Sequence, residues 1–292
     1  MVDPASIAIG VAIGTATRKF VDTTLSLGGE WLAERFKGHL PKAKEKAQQN
    51  TVDFIEQLAQ RVKTLEEQDE QNKTIIDESL SQPDFSTLLQ KAVISSAQTE
   101  DKQKHEFLAR LVTDRLSQSS ESLFTLTSQL ACDAISRLNI SQIKLLGVLA
   151  TIFFIRPIPF PPNDVPQQEV EDSWSKWLEE KLSIGQDINA NIMDYLHLQS
   201  LSCIKWDPYL ERELEELLNF PKDSGLKFDY KMFSETDLGI KISQLWKSGL
   251  GGALPTTIGI LIGIYVSDML LNTTTPLDEW GKSYPYTITD LS

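Results

Sequence analysis

Over most of the chain, apolar residues recur at three- and four-residue spacing, the period of helices that bury one face. Val52, Ile55, Leu58, Val62 and Leu65 form such a stripe among Glu, Gln, Arg and Lys. The charged stretch before them, residues 42–49, is also helix-prone, so the pattern predicts one long helix from Pro41 to about Gln68. Pro83 suits a first helical turn and Asp84 suits the positive helix end. Phe85, Leu88, Leu89, Ala92 and Val93 then make an inward face. Residues 101–116 place Phe107, Leu108, Leu111, Val112 and Leu116 together, and residues 120–138 place Leu123, Leu126, Leu130 and Ile135 together. Ser141 is the expected N-cap of the next apolar helix, QIKLLGVLATIFFI.

Four prolines at 157, 159, 161 and 162 stop that helix and favour an extended linker. Beyond it, Trp174, Trp177, Leu178 and Leu182 predict an amphipathic helix, and residues 188–201 another. The alternation of Leu226 to Phe233 reads as a short strand. Residues 238–246 return to a helical period, and Pro255 opens an apolar helix that ends near Leu271. Gly28-Gly29 reads as a helix break. The expected fold is mainly α: an apolar and basic N-terminal segment (1–41), a helical bundle (42–156), a proline-rich linker (157–166), and a smaller C-terminal domain (167–292). That last domain is expected to be helical or winged-helix-like, with little β-structure.

Two stretches add a different prospect. Residues 248–267 run for twenty positions without a charge, and residues 4–17 (PASIAIGVAIGTAT) form a second apolar stretch. Each carries a G-x-x-x-G pair, Gly10/Gly14 and Gly259/Gly263, which lets another backbone come close. Such segments serve either as core helices or as membrane-active ones. Residues 4–17 are too short to span a bilayer alone, and the C-terminal stretch runs into Asp268.

Charge sharpens this prospect. The chain of 292 residues has a net charge of −13. Its first fifty residues hold seven basic groups (Arg18, Lys19, Arg35, Lys37, Lys42, Lys44, Lys46) against five acidic ones, which leaves −15 for the rest. The overall balance opposes a nucleic-acid-coating role. The N-terminal excess forms a candidate basic surface of the kind that anionic lipid head groups attract. Two cysteines, Cys132 and Cys203, sit among apolar neighbours and read as free buried thiols in a reducing cytoplasm. The start MVDPAS lacks the positive region of a secretory signal, so a cytoplasmic location is expected, with contact at the inner membrane from that side.

Catalytic patterns do not assemble. His39, His105 and His197 are far apart in sequence, and Ala109 stands where a metalloprotease helix would place a second histidine after His105. His105 reads as a surface or partly buried helix residue. Neither a phosphate-binding G-x-x-x-x-G-K-[ST] nor a G-x-S-x-G elbow occurs. The carboxylates of residues 211–216 sit at helical spacing and read as a solvated face. The helix over 187–201 offers Asn189, Asn191, His197 and Gln199 but no Lys or Arg for DNA phosphates. No catalytic residue, cofactor or metal is therefore expected, and nucleic acid is not the expected partner.

The order PDF…LLQKA, TEDKQKHEFLARLVTDRL and AISRL-x-x-SQIKLL over residues 53–157 resembles the abortive-infection alpha (Abi-alpha) proteins of bacterial prophages and anti-phage islands. LPTTIGILIG…PLDEW near the C-terminus is similar to the apolar helix and Trp-containing end of the same group. The resemblance implies a helical bacterial protein tied to phage defence, and it transfers no functional residue. Three readings follow. The first is a non-enzymatic interaction protein that binds a protein partner or itself. The second is a membrane-perturbing effector using residues 4–17 and 254–271. The third is a winged-helix regulator of nucleic acid.

Overall fold

The computed structural model describes residues 14–116, 123–155, 166–210, 212–220 and 226–275. Among these the chain is mainly α-helical, with two three-residue strands. It divides into two compact units, Met1–Arg137 and Leu138–Ser292.

The N-terminal unit holds α1 (Thr15–Arg35), α2 (Pro41–Gln68), α3 (Glu70–Ser79), α4 (Pro83–Ala97), α5 (Lys102–Leu116) and α6 (Leu123–Arg137). The long helix α2 lies at its centre and packs on α1, α4 and α5. Ile55, Leu58 and Val62 of the predicted stripe are fully buried there together with Phe54, while Val52 and Leu65 at the stripe's ends are half-buried. Phe20 of α1 meets Phe85 of α4 edge-on, with ring centroids 6.0 Å apart. Pro83 opens α4 as expected, because its missing N–H falls where no helical partner exists. Arg115, 1% exposed, is neutralised by the Asp84 carboxylate in that same first turn.

Three expectations in this unit are corrected. Gly28-Gly29 does not break α1, which runs through both; a Cβ on Gly28 would meet the Val93 methyls of α4 at ordinary contact distance. Leu123, Leu126 and Leu130 do not face inward. They are 62%, 57% and 53% exposed, while Phe124, Ser128, Ala131 and Ile135 of the same helix are buried. His105 is fully buried rather than at the surface or partly buried, and its Nε2 lies 3.2 Å from the Ser96 carbonyl and 2.9 Å from the Thr99 carbonyl. With both neighbours able only to accept, Nε2 carries the proton.

The C-terminal unit begins at α7 (Ile140–Phe153), which the sequence pattern groups with the helices before it. Its N-cap is Asn139, not Ser141: the Asn139 side chain accepts from the Gln142 amide, and Gln142 Oε1 accepts from the Asn139 amide. There follow α8 (Gln167–Leu182), a 3-10 turn at Ser183–Gly185, α9 (Ile192–Ser200), β1 (Ile204–Trp206), α10 (Leu214–Leu218), α11 (Tyr230–Ser234), α12 (Asp237–Lys247), a 3-10 turn at Leu250–Gly252, β2 (Ala253–Pro255) and α13 (Thr257–Leu271). The strands are antiparallel, with Lys205 opposite Leu254. Residues 226–233 contain no strand. Asp229 caps Met232 instead, and a short helix starts at Tyr230. Among the described residues no wing forms, since three helices lie between β1 and β2 and no hairpin joins them.

The centre of this unit is the pairing of α13 with α7. Every residue of α13 from Ile258 to Asp268 is buried. Its far end is tied down by Asp268, 1% exposed, which accepts hydrogen bonds from the Thr273 hydroxyl (3.0 Å) and from the Thr275 amide (2.8 Å) and hydroxyl (2.7 Å). Lys181 of α8 joins by donating to the Thr273 hydroxyl at 2.7 Å. Burial pulls the Lys181 ammonium below the usual lysine range, and Asp268 opposes that pull. Asn272 closes the helix in the left-handed conformation, at φ 50°.

Candidate functional site

The four glycines singled out by spacing do different jobs. Gly10 lies outside the described residues. Gly14 is the N-cap of α1, and a Cβ there would meet the carboxylate of Glu66 from the end of α2. That carboxylate accepts from the Ala16 amide (3.3 Å), the Thr17 amide (3.0 Å) and the Thr17 hydroxyl. It thereby serves amides that a helix start leaves without partners. Burial alone would raise the Glu66 carboxyl, but these bonds outweigh it and hold it below the ordinary glutamate range. Gly14 thus makes room for a cap.

Gly259 and Gly263 serve close packing in the core. A Cβ on Gly263 would strike the Leu146 carbonyl and the Ala150 methyl of α7; one on Gly259 would strike the Cys203 carbonyl ahead of β1. Gly147 completes the fit from the α7 side, beside Val266 and Ile184. Among the described residues no helix is long and apolar enough to cross a membrane.

Of the seven basic residues, five surround the connection between α1 and α2: Arg35, Lys37, Lys42, Lys44 and Lys46. Lys44 donates to the Lys37 carbonyl at 3.3 Å, and Lys46 pairs with Glu100. Arg18 and Lys19 stand about 25 Å away at the start of α1, by the rise of the helix, and Lys19 is paired with Asp77 at 2.8 Å. Beside the five lies an open groove of about 720 Å³, floored by Leu25, Leu32, Phe36, Val52 and Ile55, with Lys37 and Lys44 at its edge.

A second cavity, about 580 Å³, opens in the C-terminal unit. Its walls are Trp206 and Trp246; Ile192, Leu210 and Tyr230 line its sides, and Gly249, Gly251 and Gly252 form one edge. The aromatic walls are held from behind. Trp206 stacks on Tyr195 at 5.9 Å and donates from Nε1 to the Gly249 carbonyl at 2.9 Å. Trp246 Nε1 donates to the Arg212 carbonyl at 2.6 Å. Gly249 has φ 132°, a conformation L side chains rarely adopt, and a Cβ there would press on the Tyr195 ring. Arg212 sits 5.8 Å over the Phe153 ring and donates to the Gly251 carbonyl at 2.8 Å. Burial lowers its guanidinium pKa against the pull of Asp207.

These Arg212 bonds are structural, so the chemistry left for a ligand is apolar and aromatic surface, the exposed Lys247 and Asp207, and the Ser243 hydroxyl, which is buried and without a partner. Apolar exposure continues beyond the cavity. Ile192 is 54% exposed; Met193 and Leu196 share its helix, and Tyr209, 92% exposed, adjoins Leu210. Nothing in the sequence pattern pointed here, because the lining comes from separate segments between 192 and 252. The density of Trp, Tyr and Arg over 206–212, with the SGLGG run after Trp246, is the signal that could have found it.

Among the described residues no three His, Cys, Asp or Glu side chains group as a metal ion would require. Cys132 and Cys203 are free and buried, and burial pushes both thiols up to about 12.

No curated protein and no solved structure matches the chain. A family model whose description reads ":-like" matches residues 25–248, a span that holds the basic connection and most of the Trp206/Trp246 cavity and leaves α13 outside. That match covers well over half of the sequence, and the chain belongs to this ":-like" family.

Proposed function

We propose that this chain acts by binding and not by catalysis, and that the Trp206/Trp246 cavity is where it takes hold of a protein partner. The observation that carries the reading is an aromatic, preshaped cavity surrounded by exposed Ile192, Met193, Leu196, Tyr209 and Leu210. Binding energy at protein interfaces concentrates in Trp, Tyr and Arg anchors within such apolar surroundings. The fitting partner is a protein segment that inserts one large apolar side chain between the tryptophans and sets a polar group near Ser243. The biological setting is proposed from the resemblance of residues 53–157 to the abortive-infection alpha proteins: a bacterial response to phage.

The test is plaquing of a phage panel on bacteria that express the full chain, compared with the Ile192→Asp/Leu210→Asp variant. Both side chains are exposed, so the variant keeps the helical circular dichroism of the parent. The full chain is expected to reduce plaquing, and the variant to lose that protection because an anchor surface is worth about 2 kcal/mol or more. Protection that survives in the folded variant would remove the cavity from the mechanism. Absence of protection against every phage would remove the defence setting.

A further inference from the structure

The connection between α1 and α2 carries a feature that the cavity of the other unit does not explain. Leu40 is 77% exposed at its tip. The short connection is held firmly: the His39 amide donates to the Phe36 carbonyl at 3.0 Å, the Phe36 and His39 rings lie 4.9 Å apart, and Pro41 fixes the start of α2. Leu40 is therefore presented outward by a fixed frame. A lone exposed leucine is ordinary. This one is flanked along the chain by a basic collar, Arg35, Lys37, Lys42, Lys44 and Lys46, against Glu34 and Glu45 and with Lys46 paired to Glu100, on a chain whose net charge is −13.

We infer that the α1–α2 connection is a peripheral docking surface for an anionic membrane. Leu40 enters the acyl boundary, the basic collar meets the lipid phosphates, and the apolar groove behind Phe36 lies beside the contact. The charge pattern favours this occupant: Arg35, Lys37 and Lys42 stand exposed beside the exposed Leu40, and anionic head groups supply many phosphates to cations spread around an apolar tip. No helix has to cross the bilayer, in keeping with the absence of a spanning helix among the described residues. The inference does not rest on the partner-binding reading, and its test uses neither phage nor partner.

The full chain is sedimented with vesicles of pure phosphatidylcholine and of an equal mixture of phosphatidylcholine and phosphatidylglycerol, at low and high salt. Binding is expected to the mixed vesicles alone, and to weaken at high salt. Arg35→Gln/Lys37→Gln/Lys42→Gln should weaken it about a hundred-fold, at about five-fold per cation. Leu40→Ser should weaken it about ten-fold. All four positions are exposed, so far-ultraviolet circular dichroism should match the parent for both variants. Three results would each overturn the proposal: no binding to mixed vesicles, equal binding to both vesicle types, or binding that the variants leave unchanged. Tight binding of a short DNA duplex that Leu40→Ser leaves intact, without vesicle binding, would also overturn it and mark the collar as a nucleic-acid surface.

Discussion

Helices α6 and α13 are each fifteen residues long and rich in aliphatic side chains, yet one turns its leucines to solvent and the other buries nearly everything. In α6 two stripes compete. Leu123, Leu126 and Leu130 form one; Phe124, Ser128, Ala131 and Ile135, with Cys132, form the other. The second stripe wins because small residues let α6 lie close to α4, where Lys91 reaches Asp133 at 2.6 Å. In α13 no stripe competes, since Ile and Leu occupy all sides and Gly259 and Gly263 let carbonyl groups approach. Periodicity reveals that a helix has an apolar face; closeness of approach decides which face is used.

The strongest way to break this contrast is Gly263→Leu. Its side chain would have to displace the Leu146 carbonyl, which is backbone and cannot rotate away. We expect a loss of about 3 kcal/mol or more in urea unfolding of the C-terminal unit. A loss under about 1 kcal/mol would show that α13 does not pack on α7 through this glycine.

The N-terminal unit supplies the next test, because there Gly14 serves a carboxylate where Gly263 serves a carbonyl. Glu66→Ala should cost about 1–2 kcal/mol, the worth of a charged cap. The Glu66 carboxyl is lowered in the folded chain, so its contribution is complete above the ordinary glutamate range. It is lost as pH falls through the lowered folded value. The difference in stability between parent and Glu66→Ala should therefore shrink on acidification. A difference that is constant with pH would contradict the cap.

The smallest effects are expected on α6. Leu126→Gln and Leu130→Gln should each change stability by no more than about 0.5 kcal/mol, whereas Ala131→Leu in the same helix should cost about 1–3 kcal/mol. A larger loss for the leucines would place them in the core that their spacing first suggested.

Much of the helical framework was legible from the residues. α2 spans Pro41–Gln68 as its stripe predicts, and α4 and α5 bury the predicted positions, because in those helices one apolar face has no rival. The strands were not legible: each is three residues long, and Ile204 finds Pro255 across fifty positions of intervening chain, so no local alternation records the pairing. Pro255, expected to begin the apolar helix, ends β2 instead; Thr256 caps α13 with its hydroxyl. The alternation over 226–233 misled because Asp229 offers the backbone a cap that outcompetes an unpaired strand. At the candidate sites, the basic residues were visible as charge, but their gathering around Leu40 depends on the turn after α1. The Trp206/Trp246 cavity depends on contacts between distant segments that no window of sequence contains.

The apolar glycine-bearing helix α13 is a core element of its own unit, and the proposed binding surfaces lie elsewhere along the chain. Amide hydrogen exchange of the full chain, with and without mixed phosphatidylcholine–phosphatidylglycerol vesicles, tests it most directly. Helix α13 should exchange among the slowest segments and to the same extent in both conditions, as a core element does, while residues 36–40 gain protection with vesicles. Fast exchange across residues 257–271 without vesicles, or protection there that appears only when vesicles are added, would contradict it.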